Sequence, residues 1–211
     1  MARAHSSRAG GLVLCQGAVC AAARLRRMPT PPPTCQPVAT AQLRAAAPDD
    51  ALCLSVLAMQ VWLDTYATAG IRPAIARDVL ATYAQTRFDE AIAAPDTRIA
   101  VAARNGHLVG FAQVTLGAGH ALAPAGAQAE LLRLYVQEPF TGAGLGTQLL
   151  AQAEGLAAQH GAGVLWLTPW VHNHRALAFY ARRGYADRGS TLFTFEGESH
   201  ENRVLAKRLA V

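Results

Sequence analysis

A mixed α/β fold is what this chain predicts, and three observations carry the prediction. Ile99, Val101 and Ala103 alternate before Asn105-Gly106, the dipeptide best suited to a two-residue turn, so two antiparallel strands lie there. The apolar strand-like run "QAELLRLYV", residues 128–136, passes through a turn holding Gly142, Gly144 and Gly146 into a helix-periodic segment. Upstream, Leu52, Val56, Met59, Leu63 and Tyr66 recur at helical spacing, which predicts a helix with that stripe buried.

The totals narrow the class. With 211 residues, 52% of them hydrophobic, the chain supports one well-buried domain with an appendage rather than two full domains. Its formal charge of +5 is unevenly distributed. Residues 1–48 hold six arginines and no acid, whereas the remainder holds 13 basic and 14 acidic residues, so the folded body is nearly neutral. A nucleic-acid surface needs clustered cations on a folded face, and none is expected here. No apolar run reaches the roughly 18 residues of a membrane span, so no membrane partner is expected either. Cys15, Cys20, Cys35 and Cys53 lack a second Cys or His pair at zinc-ligand spacing; they read as free thiols in a reducing cytosol, with no metal.

Residues 1–37 are Arg-rich, acid-free and end in a proline cluster that behaves as a stiff linker. A targeting segment, a lipoprotein anchor at Cys15 and a disordered tail compete for this stretch. Leu14 sits where an anchor needs a small residue, so a disordered extension, with Met28 as the working start, is the expectation. Residues 38–211 form the expected single domain.

Within it the elements follow in order. "VATAQLRAA", residues 38–46, can form an edge strand, and Pro48, Asp49 and Asp50 start the first helix with acids placed against its dipole. Gly70 stops that helix, a second runs from Pro73 through Leu80 and Tyr83, and "FDEAIAA" forms a short third before Pro95. The hairpin, a Gly/Ala/Pro loop over 117–127 and the strand over 128–136 come next. The helix after the glycine turn places Leu145, Leu149, Ala153 and Leu156 on one face and ends near Gly161. Strand "VLWLTP", helix "NHRALAFYARRG" and two strands, about 185–195 and 202–209, complete the domain.

The glycine turn can bring backbone close to a ligand, because glycine accepts positive φ, and the first amides of the following helix point outward as anion donors. A pyrophosphate fits this geometry. A Walker loop is excluded, since Gly146 is followed by Thr147 and Gln148 rather than Lys and Ser or Thr. The dinucleotide fingerprint is excluded by the G-x-G-x-G spacing and by Trp166 and Leu167 where an acid belongs. Further on, Asn173 can cap a helix that Gly184 ends, and Tyr180 lies two helical turns after Asn173 on the same face.

"ELLRLYV", "GAGLG" and "HNHRALAFYARRGY" together resemble the GNAT superfamily of acyl-CoA-dependent N-acetyltransferases, and within it most nearly the PaiA-like group associated with polyamine acetylation. The resemblance runs over roughly 38–210 in element order and is most specific over 130–187. It implies a mixed, mostly antiparallel sheet of about seven strands flanked by helices, with a parallel central strand pair forming the acetyl-CoA cleft. Acetyl-CoA is the implied co-substrate and a small amine or polyamine the implied acceptor, in a monomeric or homodimeric cytoplasmic enzyme. One departure stands out: Thr141 occupies a position that is usually Arg or Gln in the pyrophosphate turn.

By the same resemblance, the backbone of Leu134, Tyr135 and Val136 pairs with pantetheine and Asn173 reaches the pantetheine arm. The turn from Thr141 through Gly142, Ala143, Gly144, Leu145, Gly146 and Thr147 holds the pyrophosphate, and Tyr180 gives a proton to the departing thiolate. Acetyl transfer also needs a neutral amine. Strict alternation along "ELLRLYV" places Glu130 on the face of Leu132 and Leu134, which makes it the candidate base, through water. Trp62, Thr65 and Tyr66 fall where the family forms its substrate wall, and Glu196, Glu198 and Glu201 are acids able to attract a cation; packing and a solvated face are the ordinary alternatives. An acyl-CoA-binding module without turnover and a peptide or protein acetyltransferase remain as alternative functions.

Overall fold

The computed structural model describes residues 40–195 and 198–210, with the side chains of 195 and 198 outside that description. The expected extension over 1–37, with Cys15, Cys20 and Cys35, and also Glu196, lie outside the described residues. A short strand β1, Gln42–Ala45, leads through a 3-10 turn at Pro48–Asp50 into α1, Ala51–Tyr66. Asp50 fixes this junction: its carboxylate accepts from the Arg44 guanidinium at 2.5 and 2.8 Å and from the Ala47 amide at 2.7 Å. The Arg44 hydrogen bonds hold the Asp50 carboxyl below its usual range.

Helices α2, Pro73–Thr82, and α3, Gln85–Ala93, follow, and then the hairpin of β2, Thr97–Arg104, and β3, His107–Leu116. Asn105 at φ 51° and Gly106 at φ 80° make the turn the dipeptide predicts. Strand β4, Gln128–Val136, helix α4, Leu145–Gln159, strand β5, Val164–Leu167, helix α5, His174–Ala181, and strands β6, Ala186–Phe195, and β7, Glu198–Arg208, complete the order. The seven strands form one sheet in the order β1-β2-β3-β4-β5-β7-β6, antiparallel at every junction except β4–β5. This is the mixed sheet expected.

Each face of the sheet carries its own core. On one, Leu149, Leu150 and Ala153 of α4 pack on Val114, Leu131 and Leu165. On the other, Leu54 and Leu57 of α1, Val79 of α2 and Phe88 of α3 cover Val101 and Phe111. The α4 stripe holds at Leu145, Leu149 and Ala153, with Ala157 rather than the half-buried Leu156 completing it.

The α1 stripe is corrected. Leu52 and Val56 are 56% and 58% exposed, and the buried face is Ala51, Leu54, Ser55 and Ala58. Apolar residues surround this helix almost completely, so the sequence specifies a helix without specifying its phase. The packing of Leu54, Leu57 and Ala58 and the Ser55 hydroxyl, which donates to the Tyr83 carbonyl at 2.5 Å, hold this face inward and leave Leu52 and Val56 outward. Strand β7 also starts earlier than expected, because the polar run from Glu198 pairs with β6 through the Phe195–Glu198 register and needs no apolar face there.

Candidate active site

The parallel junction is short. Strands β4 and β5 pair only at Gln128–Glu130 with Val164–Trp166, after which β5 ends at Leu167 while β4 continues to Val136. The far half of β4 therefore has main-chain groups without strand partners on that side, and such groups seek an extended ligand. A cleft of about 740 Å³ opens along it, lined by Leu134 and Val136, by the glycine turn and by α5.

In the turn, Gly142 at φ 80° and Gly144 at φ 84° hold left-handed conformations, and Gly144 is the N-terminal cap of α4. Gly146 differs from expectation, since it lies in the first turn of α4 without a positive φ, and a Cβ there would make ordinary contact with the Phe179 ring at 3.5 Å. The Thr147 amide is engaged, donating to the Gly144 carbonyl at 3.0 Å, and the Thr141 amide and hydroxyl turn back to the Glu138 carbonyl at 3.1 and 2.9 Å. Leu145 and Gly146, the first helical residues, keep amides without intrahelical acceptors. Both threonines still line the cleft.

Helix α5 faces this turn. Asn173 caps it, its Oδ1 accepting from the Ala176 amide at 3.0 Å, while Gly184 at φ 82° closes the far end. Asn173 and Tyr180 both line the cleft, as their spacing predicts. The Tyr180 phenol is pushed well above its usual range by burial first, then by the neighbouring Tyr66 and Tyr135 hydroxyls. Burial thus favours the neutral, protonated phenol there. Three arginines that sequence reasoning passed over, Arg175, Arg182 and Arg183, also line the cleft; the signal was present as "ARRG" and as the Arg after His174.

The opposite face of β4 requires a correction. The pairs Gln113–Arg133 and Val114–Leu131 leave Leu132 as an extra residue, a β-bulge that breaks the alternation. Ala129, Leu131, Leu134 and Val136 face α4, whereas Glu130, which pairs Thr115, shares the other face with Arg133 and Tyr135. Glu130 is thus on the opposite side from Leu134. Burial raises its carboxyl above the usual range, partly offset by the Arg133 charge. Around it, Arg133 donates to the buried Gln113 at 2.6 Å and lies over the Tyr83 ring, whose hydroxyl is 3.1 Å from that of Tyr135. Tyr135 therefore offers its backbone to the β4 edge and its side chain to this cluster.

At the end of α1, Thr65 lines the cleft with its hydroxyl on the Val61 carbonyl at 2.7 Å. Trp62 and Tyr66 stack at 5.3 Å between ring centroids, and Trp170, which the sequence reading did not single out, joins Tyr66 at 5.8 Å. Burial is the main reason that the Tyr66 phenol is pushed up to about 12. Of the late acids, Glu201 is engaged by Ser190 and Arg203 on the β6–β7 ladder, so it is not a free attractor of cations.

A β4 edge freed from its parallel neighbour, a left-handed glycine turn at a helix N-terminus and an Asn-capped helix with a tyrosine facing the same cleft define a site for an acylated nucleotide carrier. Residues 62–185 match the Acetyltransferase (GNAT) family, and the chain belongs to that family. It is an acetyl-CoA-dependent N-acetyltransferase. An uncharacterised N-acetyltransferase of Mycobacterium tuberculosis is 30% identical over 141 residues, 64% of this chain and 85% of its own length. The IAA acetyltransferase of Azospirillum brasilense is 33% identical over 100 residues, 47% of this chain and 61% of its own. Among solved structures, the PaiA N-acetyltransferase of Thermoplasma acidophilum in complex with coenzyme A superposes with a TM-score of 0.65 at 22% identity, covering 80% of this chain and 99% of that one.

Proposed function

We propose that this enzyme moves the acetyl group of acetyl-CoA to a primary amine of a small molecule or polyamine, by direct attack within a ternary complex. The observation that carries the reading is the division of β4: its free edge and α4-facing side border the cleft, while its other face presents a half-buried carboxylate, Glu130. Two substrates can then meet at one strand, and no nucleophilic side chain is needed between them.

Acetyl-CoA supplies the acetyl group as a thioester. In the proposed arrangement the backbone of Leu134–Val136 aligns the pantetheine arm, with Asn173 beside it, and a β4 amide donates to the thioester oxygen as negative charge develops. The amides of Gly142–Gly146 hold the pyrophosphate, and Thr141 and Thr147 form the walls of the turn. Glu130 takes the amine proton through water, the nitrogen bonds to the carbonyl carbon, the carbon–sulfur bond breaks, and Tyr180 gives its proton to the leaving sulfur. Trp62, Thr65 and Tyr66 form the proposed acceptor wall: Thr65 and Asp64 line the cleft, the paired Trp62 and Tyr66 rings lie on the same helix end, aromatic faces suit an ammonium and the Asp64 carboxylate suits a second one. The PaiA likeness supports the polyamine end of this range. Residues 38–211 act as the transferase domain, with 1–37 as an extension in a cytoplasmic protein.

The test is thiol release from acetyl-CoA by the full chain with polyamines, amino acids and short peptides as acceptors. Release with amines or polyamines above hydrolysis is expected. Release with peptide N-termini alone contradicts the acceptor class and assigns a peptide acceptor instead.

A further inference from the structure

The glycine turn contributes no cation of its own: between Thr141 and Thr147 its side chains are hydroxyl, aliphatic or absent. Backbone amides orient a phosphate but do not neutralise it. Beside the turn stands Arg183, half-buried and held from several directions. One Nη donates to the Phe179 carbonyl at 3.0 Å, the other donates to the Thr147 hydroxyl within the turn, and the guanidinium carbon lies 3.7 Å from the Phe179 ring centroid. That ring is also the one Gly146 abuts, so turn, ring and guanidinium form a single stack.

The charge of this group is not balanced by protein. Among the described residues no carboxylate pairs with Arg183, and its Nε is buried with no hydrogen-bond partner. A partly desolvated cation without a counter-charge is costly, and an anion delivered beside it offsets that cost. The other two cleft arginines are placed differently: Arg175 is paired with Glu138 at 2.8 Å and Arg182 is exposed. Arg183 is the guanidinium fixed in place before any ligand arrives, with two Nη hydrogens left over on a side chain that lines the cleft.

We propose that Arg183 is the phosphate-reading side chain of this enzyme, supplying from the turn after α5 the positive charge that the glycine turn lacks. The proposal rests on the acetyl-CoA reading of the cleft. The ligand chemistry is a phosphate ester of the coenzyme, either its pyrophosphate or its ribose 3′-phosphate.

Calorimetric titration of the full chain with coenzyme A and with 3′-dephospho-coenzyme A, for the native protein and for Arg183→Ala and Arg183→Lys, separates these sources. Arg183→Ala is expected to weaken coenzyme A about 10- to 100-fold, the range of a charge-assisted hydrogen bond, with Arg183→Lys intermediate. If the 3′-phosphate is the target, the native protein shows the same loss with the dephospho form and the substitution adds nothing further. If it is the pyrophosphate, the loss on substitution persists with both. As a structural control, kcat/KM with acetyl-pantetheine, which carries neither phosphate, is expected to be unchanged. Coenzyme A affinity within twofold of native in Arg183→Ala, or an equal loss with acetyl-pantetheine, overturns the proposal. Failure of the native protein to bind coenzyme A overturns instead the reading beneath it.

Discussion

On one face of β4, Leu134 and Val136 meet a cleft built largely from main chain: a free strand edge, two left-handed glycines and the first amides of α4. On the other, Arg133 and Tyr135, beside Glu130, contact side chains far away in sequence, Gln113 of β3, Tyr83 and Phe88. The first is a device of backbone conformation and tolerates varied side chains between its fixed points. The second is a network, in which each member depends on the others for its protonation and position.

Four substitutions test the two faces separately. The largest effect is expected at Tyr180→Phe, where loss of the proton donor lowers kcat about 10²- to 10⁴-fold while coenzyme A affinity, read by titration, stays within a few-fold. Glu130→Gln follows, lowering kcat about 10²-fold. With Glu130 as the proposed base, its carboxylate is the working form and burial raises its pKa, so native activity is expected to fall as pH drops through that raised value. The Glu130→Gln protein is expected to lose this acid limb, and persistence of the limb assigns the base elsewhere.

Gly144→Ala tests the main-chain device. A Cβ there meets nothing within 4 Å, so the effect is conformational alone. Forcing alanine into the left-handed region costs about 1–2 kcal/mol, and coenzyme A is expected to bind about tenfold more weakly. Smallest is Tyr83→Phe, which removes the hydroxyl partner of Tyr135. It is expected to reduce stability by about 1 kcal/mol, seen as a drop in melting temperature, with kcat within twofold.

The contrast also explains what could be read from the chain. Glycines at 142 and 144, the Asn173 cap and the Asn105-Gly106 turn are local requirements, and each is legible because few residue types meet it. The Leu132 bulge is missed by assuming strict alternation: the Leu131-Leu132 doublet in "ELLRLYV" departs from it, although only the register against β3 shows which residue is extra. The α1 phase was hidden because a helix apolar on nearly all sides takes its orientation from tertiary partners, here the Val101–Phe111 core and the Tyr83 carbonyl. Trp170 beside Tyr66 and Arg183 beside the glycine turn owe their places to the packing of the segments before and after α5, which no local pattern encodes.

The central claim, that two substrates meet across one strand without a covalent enzyme intermediate, is tested most directly by initial-rate kinetics. Acetyl-CoA would be varied against the best acceptor amine at several fixed concentrations. The account predicts double-reciprocal lines that intersect, the mark of a ternary complex. Parallel lines, with acetylated protein trapped when acetyl-CoA is supplied alone, would contradict it.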